Sequence, residues 1–141
     1  MNKFFEVGVR YDKTMDNGVT RKVTENYLIE AVSFSDAEVR ATIEMTRHGG
    51  ESEVVTEKIV NVSEVVTAPT EEGADKFYKV KHNIVTMDEK TAKEKMQPQY
   101  ILVQAASIDD ARERYKRHIS TWVIDTLLEA IAETKIVDYF K

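Results

Sequence analysis

The segments AVSFSDAEVR (31–40) and AASIDDARER (105–114) are one pattern written twice, 74 residues apart. In each, a small apolar end leads to a serine, Ser33 or Ser107, followed three residues later by an acid, Asp36 or Asp110. A hydroxyl N-cap with a carboxylate at the third helical position satisfies free backbone N–H groups and suits the helix dipole. Both segments therefore predict a helix start. Ala37, Ala41 and Met45 continue one apolar stripe, and Ala111, Tyr115, Ile119 and Trp122 the other. Helix one is expected to stop at Arg47-His48-Gly49-Gly50, with basic residues in the last turn and Gly beyond it.

The match extends in both directions. Upstream, with one gap, Tyr27-Leu28-Ile29 aligns on Tyr100-Ile101-Leu102 and Lys22 on Lys95. Further back, Phe5-Glu6-Val7 aligns on Tyr78-Lys79-Val80, and Thr14-Met15-Asp16 on Thr86-Met87-Asp88. Downstream, Glu64-Val65-Val66 aligns on Asp138-Tyr139-Phe140. The chain reads as a tandem duplication, with repeat one at 1–68 and repeat two at 75–141 of a single 1–141 domain.

Phe5, Val7, Val9 and Tyr11 alternate with Glu6, Gly8, Arg10 and Asp12, the period of a half-buried strand. Asp16-Asn17-Gly18 supplies the chemistry of a tight hairpin turn. A return strand ends near Val32. In repeat two, Tyr78, Val80, His82 and Ile84 form the inner face, and the return strand ends in YILVQAA.

The stretch VIDTLLEAIAETKI (123–136) is contested. Its Leu, Ala and Glu favour helix. It also aligns without a gap on GGESEVVTEKIVNV (49–62), whose Val, Thr and Ile content favours strand. The repeat decides, and a strand is expected near 127–136.

The fold class that follows is α+β, a duplicated ββαβ unit with six strands and two helices. A right-handed crossover would place the third strand beside the first. Each copy would form a three-stranded antiparallel layer covered by one helix, and the copies are expected to pair about a pseudo-twofold axis.

The segments RYDKTMDNGVTRKVTENYLIEAVSFSDAE (10–38), FYKVKHNIVTMDEKTAKEK (77–95) and YILVQAASIDDARER (100–114) carry a family resemblance. The chain resembles the domain of unknown function 4494, small proteins common in gut Bacteroidetes and their phages. The resemblance covers most of the chain and keeps the order of its segments. The family's second half ends in an acidic-aromatic tail similar to Val137-Asp138-Tyr139-Phe140. The resemblance implies a bacterial or phage cytosolic protein in a mobile-element setting. It implies no chemistry, because no activity or catalytic residue comes with it.

Composition excludes several classes. With no Cys there is no disulfide framework and no thiolate metal site, which suits a reducing compartment. Charged Lys3, Glu6, Arg10 and Asp12 break any signal-peptide core, and no apolar run reaches membrane-helix length, so a cytoplasmic location without membrane contact is expected. Net charge is −5, which argues against a general polyanion binder. The distribution is uneven. Residues 1–70 hold 8 basic and 12 acidic side chains, whereas 76–118 hold 10 Lys or Arg against 6 Asp or Glu.

That basic stretch supplies the candidate binding residues. Strand alternation could gather Lys79, Lys81, Lys93 and Lys95 on the outer face of the second hairpin, reinforced by Arg112, Arg114, Lys116 and Arg117 on helix two. Phosphates favour such clusters, and Tyr78 or Tyr100 would stack bases of a single strand. The plainer account is a solvated sheet face with Lys guarding an edge. His82 replaces Val9 at the equivalent inner position, so it needs a hydrogen-bond partner or faces a cavity as a ligand or acid-base group.

Phe5 with Tyr78, and Tyr27 with Tyr100, read as repeated core aromatics. His48 and His118 both fall late in helices, where imidazolium suits the dipole. No two His stand at metal spacing, and no glycine-rich phosphate loop or nucleophile motif occurs. No catalytic residue, metal or cofactor is assigned. The expectation is a non-enzymatic binding module for an unknown protein or single-stranded nucleic acid, with self-association as a further option. A small-ligand protein for nucleotides, using the seam between copies, and an assembly component are the alternatives.

Overall fold

The structure, a computed structural model, describes residues 2–47, 49–68 and 73–141. The first repeat forms β1 (Lys3–Thr14), β2 (Thr20–Ala31), α1 (Phe34–Arg47), β3 (Ser52–Val60) and β4 (Glu64–Val66). The second forms β5 (Lys76–Met87), β6 (Glu94–Ala105), α2 (Ile108–Ile119), β7 (Asp125–Glu133) and β8 (Ile136–Phe140). The duplicated α+β plan is present, and each repeat carries one short strand beyond the six-strand expectation. Of the contested stretch 123–136, Asp125–Glu133 is strand, beginning two residues before and ending three residues before the expected 127–136. α2 closes at Ser120, and β7 then pairs antiparallel with β5 while Ile131 packs on the core below. Tertiary pairing overrides the helical propensity of its Leu and Ala.

Both helix starts are built alike. The Ser33 hydroxyl accepts from the Asp36 N–H at 3.1 Å, and Ser107 accepts from Asp110 at 3.1 Å. The two carboxylates reach back to the N–H groups of Val32 and Ala106, and each takes an arginine one turn on, Arg40 or Arg114. Those backbone hydrogen bonds are the first cause holding both carboxyls below the ordinary Asp range. His48, and with it the expected dipole contact, lies outside the described residues.

The strands form two four-stranded sheets, in the orders β3-β1-β2-β8 and β4-β6-β5-β7. The crossover through each helix places the third strand beside the first, as expected. The three-stranded antiparallel layer requires correction, because a fourth strand joins each sheet in parallel. It comes from the other repeat: β8 pairs with β2, and β4 with β6. The compact units follow this exchange. One runs to Asn61 and resumes at Lys135–Lys141; the other is Val62–Thr134.

In the first unit Phe5, Val7, Val9, Tyr27, Ile29 and Ala31 pack beneath Ala37, Ala41 and Met45 of α1. In the second, Tyr78, Val80, Ile101, Val103 and Ala105 pack beneath Ala111 and Tyr115 of α2. Among the described residues no helix is long and apolar enough to cross a membrane.

The repeat alignment shifts by one residue in the return strands. Val7 pairs with Tyr27, but Val80, the counterpart of Val7, pairs with Ile101. The extra residue sits in the second hairpin turn. Met15 and Val19 close the first, with Gly18 at φ +84°, whereas Asp88 and Lys93 close a longer one, with Ala92 at φ +54°. Tyr27 thus corresponds to Ile101, and Tyr100 turns to the opposite face. A one-residue slip moves every side chain across a sheet.

Candidate functional site

His82 is fully buried between β5 and α2. Its Nδ1 lies 2.7 Å from the Tyr115 hydroxyl and its Nε2 2.7 Å from Gln99 Oε1. Both nitrogens are satisfied when Nε2–H donates to Gln99 and Nδ1 accepts from the Tyr115 O–H. The rings of Tyr115 and Trp122 flank the imidazole at 5.4 and 5.6 Å. In the first repeat the equivalent positions hold Val9 and Ala41, so a polar pair replaces an apolar pair inside one core. The sequence pointed to His82 alone. Its partner was legible as the matching change of Ala41 to Tyr115.

His118, on α2, places Nε2 2.9 Å from Glu64 Oε1 of β4, at an angle too bent for a hydrogen bond. The contact is ionic and depends on imidazole protonation. Trp122 lies edge-on to it at 5.9 Å. Among the described residues no group of three or more His, Asp or Glu is placed to hold a metal ion.

The candidate lysines divide between the faces of the sheet. Lys79 and Lys81 occupy the face of β5 away from α2, where their ammonium groups stand 4.6 and 6.0 Å from the centroid of Tyr100. Lys81 also reaches Glu129 of β7 at 2.6 Å. Their hydrogen bond is the first cause raising the Lys81 ammonium above its ordinary range and lowering the Glu129 carboxyl below its own. Lys76 of β5 pairs with Glu133 of β7 at 3.4 Å.

Lys95 pairs across the ladder with Thr86, and Lys93 closes the turn onto Asp88. Lys95 has the strand parity of His82, on the other face from Lys79 and Lys81, and Lys93 lies in the turn before β6. Arg112 and Lys116 are exposed on α2, which covers that other face. Arg114 is held by Asp110. The seven candidates therefore do not converge: two lysines lie behind the sheet, His82 is enclosed, Lys93 is in the hairpin turn, and Lys95, Arg112 and Lys116 sit on the helix side.

A different surface stands out on the outer side of β7, one of the two edge strands of its sheet, where no described strand pairs with it. Seven of its nine residues are exposed. Val123 is 99% exposed, Ile124 51%, Leu127 50% and Leu128 38%, one apolar run entering and lining an open edge. The equivalent edge strand β3 is more covered, with four exposed positions among nine. Repeat equivalence makes the contrast specific. Gly49, Gly50, Glu53 and Lys58 of repeat one become Val123, Ile124, Leu127 and Ala132 in repeat two. Lys58 guards its edge and leans on Glu6 at 3.7 Å, whereas β7 has neither Lys nor Pro. The signal lay in VIDTLLEAIAE itself, hidden because a helix would also use those residues.

The family described as Domain of unknown function (DUF4494) matches residues 3–141. The chain belongs to this family. No curated protein and no solved structure matches it. DUF4494 membership extends over both repeats and the exchanged strands, so the match covers the whole duplicated architecture. Chemical assignment in this DUF4494 chain rests on its own residues.

Proposed function

We propose that this chain is a non-enzymatic binding module of a bacterium or phage, acting in the cytoplasm, whose partner is a protein engaged along β7. The observation that carries the reading is the exposure of Val123, Ile124, Leu127 and Leu128 beside a strand edge that no described strand pairs. Exposed apolar side chains next to free backbone groups are costly to leave bare and favour a protein surface. The Bacteroidetes and phage setting follows from the family resemblance.

The nucleic-acid version draws on the basic surplus of 76–118. It is weakened because the sheet separates Lys79 and Lys81 from Lys95, Arg112 and Lys116, and because Lys81 is already engaged by Glu129. A phosphate backbone needs its cations on one path. The small-ligand version is weakened by His82, whose two nitrogens are already engaged.

The test is a photo-crosslinking amino acid at position 127, with the same residue at exposed Glu113 as control, in cells that naturally make the protein. A discrete protein adduct from 127 and none from 113 is expected. Equal labelling at both positions, or no adduct at 127, ends the protein-partner reading.

A further inference from the structure

We infer that β7 binds its partner by strand addition, and that the incoming segment is extended, with Lys or Arg alternating with aliphatic residues. This rests on the protein-binding reading and specifies its chemistry. An open edge offers alternate N–H and C=O groups to one more strand, and the side chains on its two faces then select the occupant.

Every charged residue of β7 is acidic: Asp125, Glu129 and Glu133. On its paired side β7 already meets that pattern in β5, where Lys81 reaches Glu129 and Lys76 reaches Glu133. Both glutamates remain about half exposed, at 46% and 54%, so each carboxylate keeps room for a second cation beside its β5 lysine. Leu127 and Leu128 supply apolar contacts on the two faces.

Charge decides between a foreign strand and a second copy of this chain. Two β7 strands side by side would share six carboxylates and no lysine. Cross-strand like charges destabilise a ladder, and opposite charges support it. The edge complements a basic strand.

The test uses the full chain and three synthetic nine-residue peptides, matched to the length of β7. One alternates Lys and Val, one alternates Glu and Val, and one is the Lys–Val peptide with a central Val replaced by Pro. Amide hydrogen exchange at low ionic strength reads the response.

The Lys–Val peptide is expected to slow exchange across 125–133 and to leave the β1–β2 hairpin unchanged. The Glu–Val and Pro-containing peptides are expected to have no effect. Leu127→Lys should weaken the Lys–Val effect about tenfold through charge repulsion and lost apolar contact. Ala132→Lys serves if that variant misfolds, as judged by exchange in β5 and β6. Absence of protection by Lys–Val, equal protection by Glu–Val, or protection by the Pro-containing peptide overturns the inference. A crosslink at position 127 together with such a result leaves a protein partner that docks without strand addition. Loss of the crosslink as well removes both readings.

Discussion

The Tyr115 hydroxyl and His82 Nδ1 meet at 2.7 Å in a helix–sheet core whose counterpart in the other repeat is Ala41 against Val9. One ancestral packing site thus has an apolar and a polar version in the same chain. The polar version holds because Gln99 completes the imidazole. Each member leaves a buried group unsatisfied when removed alone. Tyr115→Phe should cost about 1–3 kcal/mol in urea denaturation, and His82→Val a comparable amount. The double variant should lose about 1 kcal/mol less than the sum. Strict additivity would show that the two groups do not act as a pair.

The duplicated caps set an acid limit. Asp36 and Asp110 have folded pKa values below the ordinary 3.8, chiefly through the N–H groups of Val32 and Ala106. A depressed carboxyl contributes stability that is present above its unfolded value and lost as pH falls through the folded one. Stability should therefore decline as pH drops below about 4. Asp110→Asn should flatten that decline while lowering stability at neutral pH. Denaturant midpoints measured across the acid range check it, and an unchanged slope would place the titration elsewhere.

At the alkaline end, burial pushes the Tyr27 phenol up to about 12, with Glu25 and Asp138 adding to it. Tyr139 is likewise raised to about 12, by burial first and then by Glu30. A phenol raised in the fold contributes stability that is full below its unfolded value of 10.0 and is lost as pH climbs through the folded value. Tyr27→Phe should reduce the loss of stability between pH 10 and pH 12. Burial raises the Tyr115 phenol as well, so phenolate absorbance in the native protein should show three late-titrating tyrosines, with one fewer in the variant. Titration of all tyrosines together near 10 would contradict this.

Strand exchange makes the C-terminus part of the first unit. Ile136 is buried, and Phe140 stacks on Tyr27 at 5.3 Å between ring centroids. Ile136→Ala should cost about 2–5 kcal/mol. Hydrogen exchange should then accelerate first in β1 and β2, although residue 136 belongs to the second repeat in sequence. Acceleration confined to β5 and β6 would mean that β8 stabilises its own repeat instead.

The helix caps, the period-2 strands and the strand character of 125–133 could be read from one-dimensional pattern, because each rests on local chemistry or on the 74-residue repeat. The caps need only Ser33 and Asp36, or Ser107 and Asp110, at a fixed spacing. The strand of 125–133 needed its alignment on 51–59, since its own Leu and Ala favour helix. Burial of His82 also followed from alternation.

Three things required the tertiary structure. β4 and β8 are short and equivalent, and nothing local selects which of two similar sheet edges each one joins. The face of Tyr100 depends on which side of a hairpin turn carries the extra residue, and a single position reverses it. The basic residues of 76–118 are neighbours in sequence, yet a sheet has two faces, and strand parity with helix placement separated them. Local interactions determine what each segment forms; long-range pairing determines what it meets.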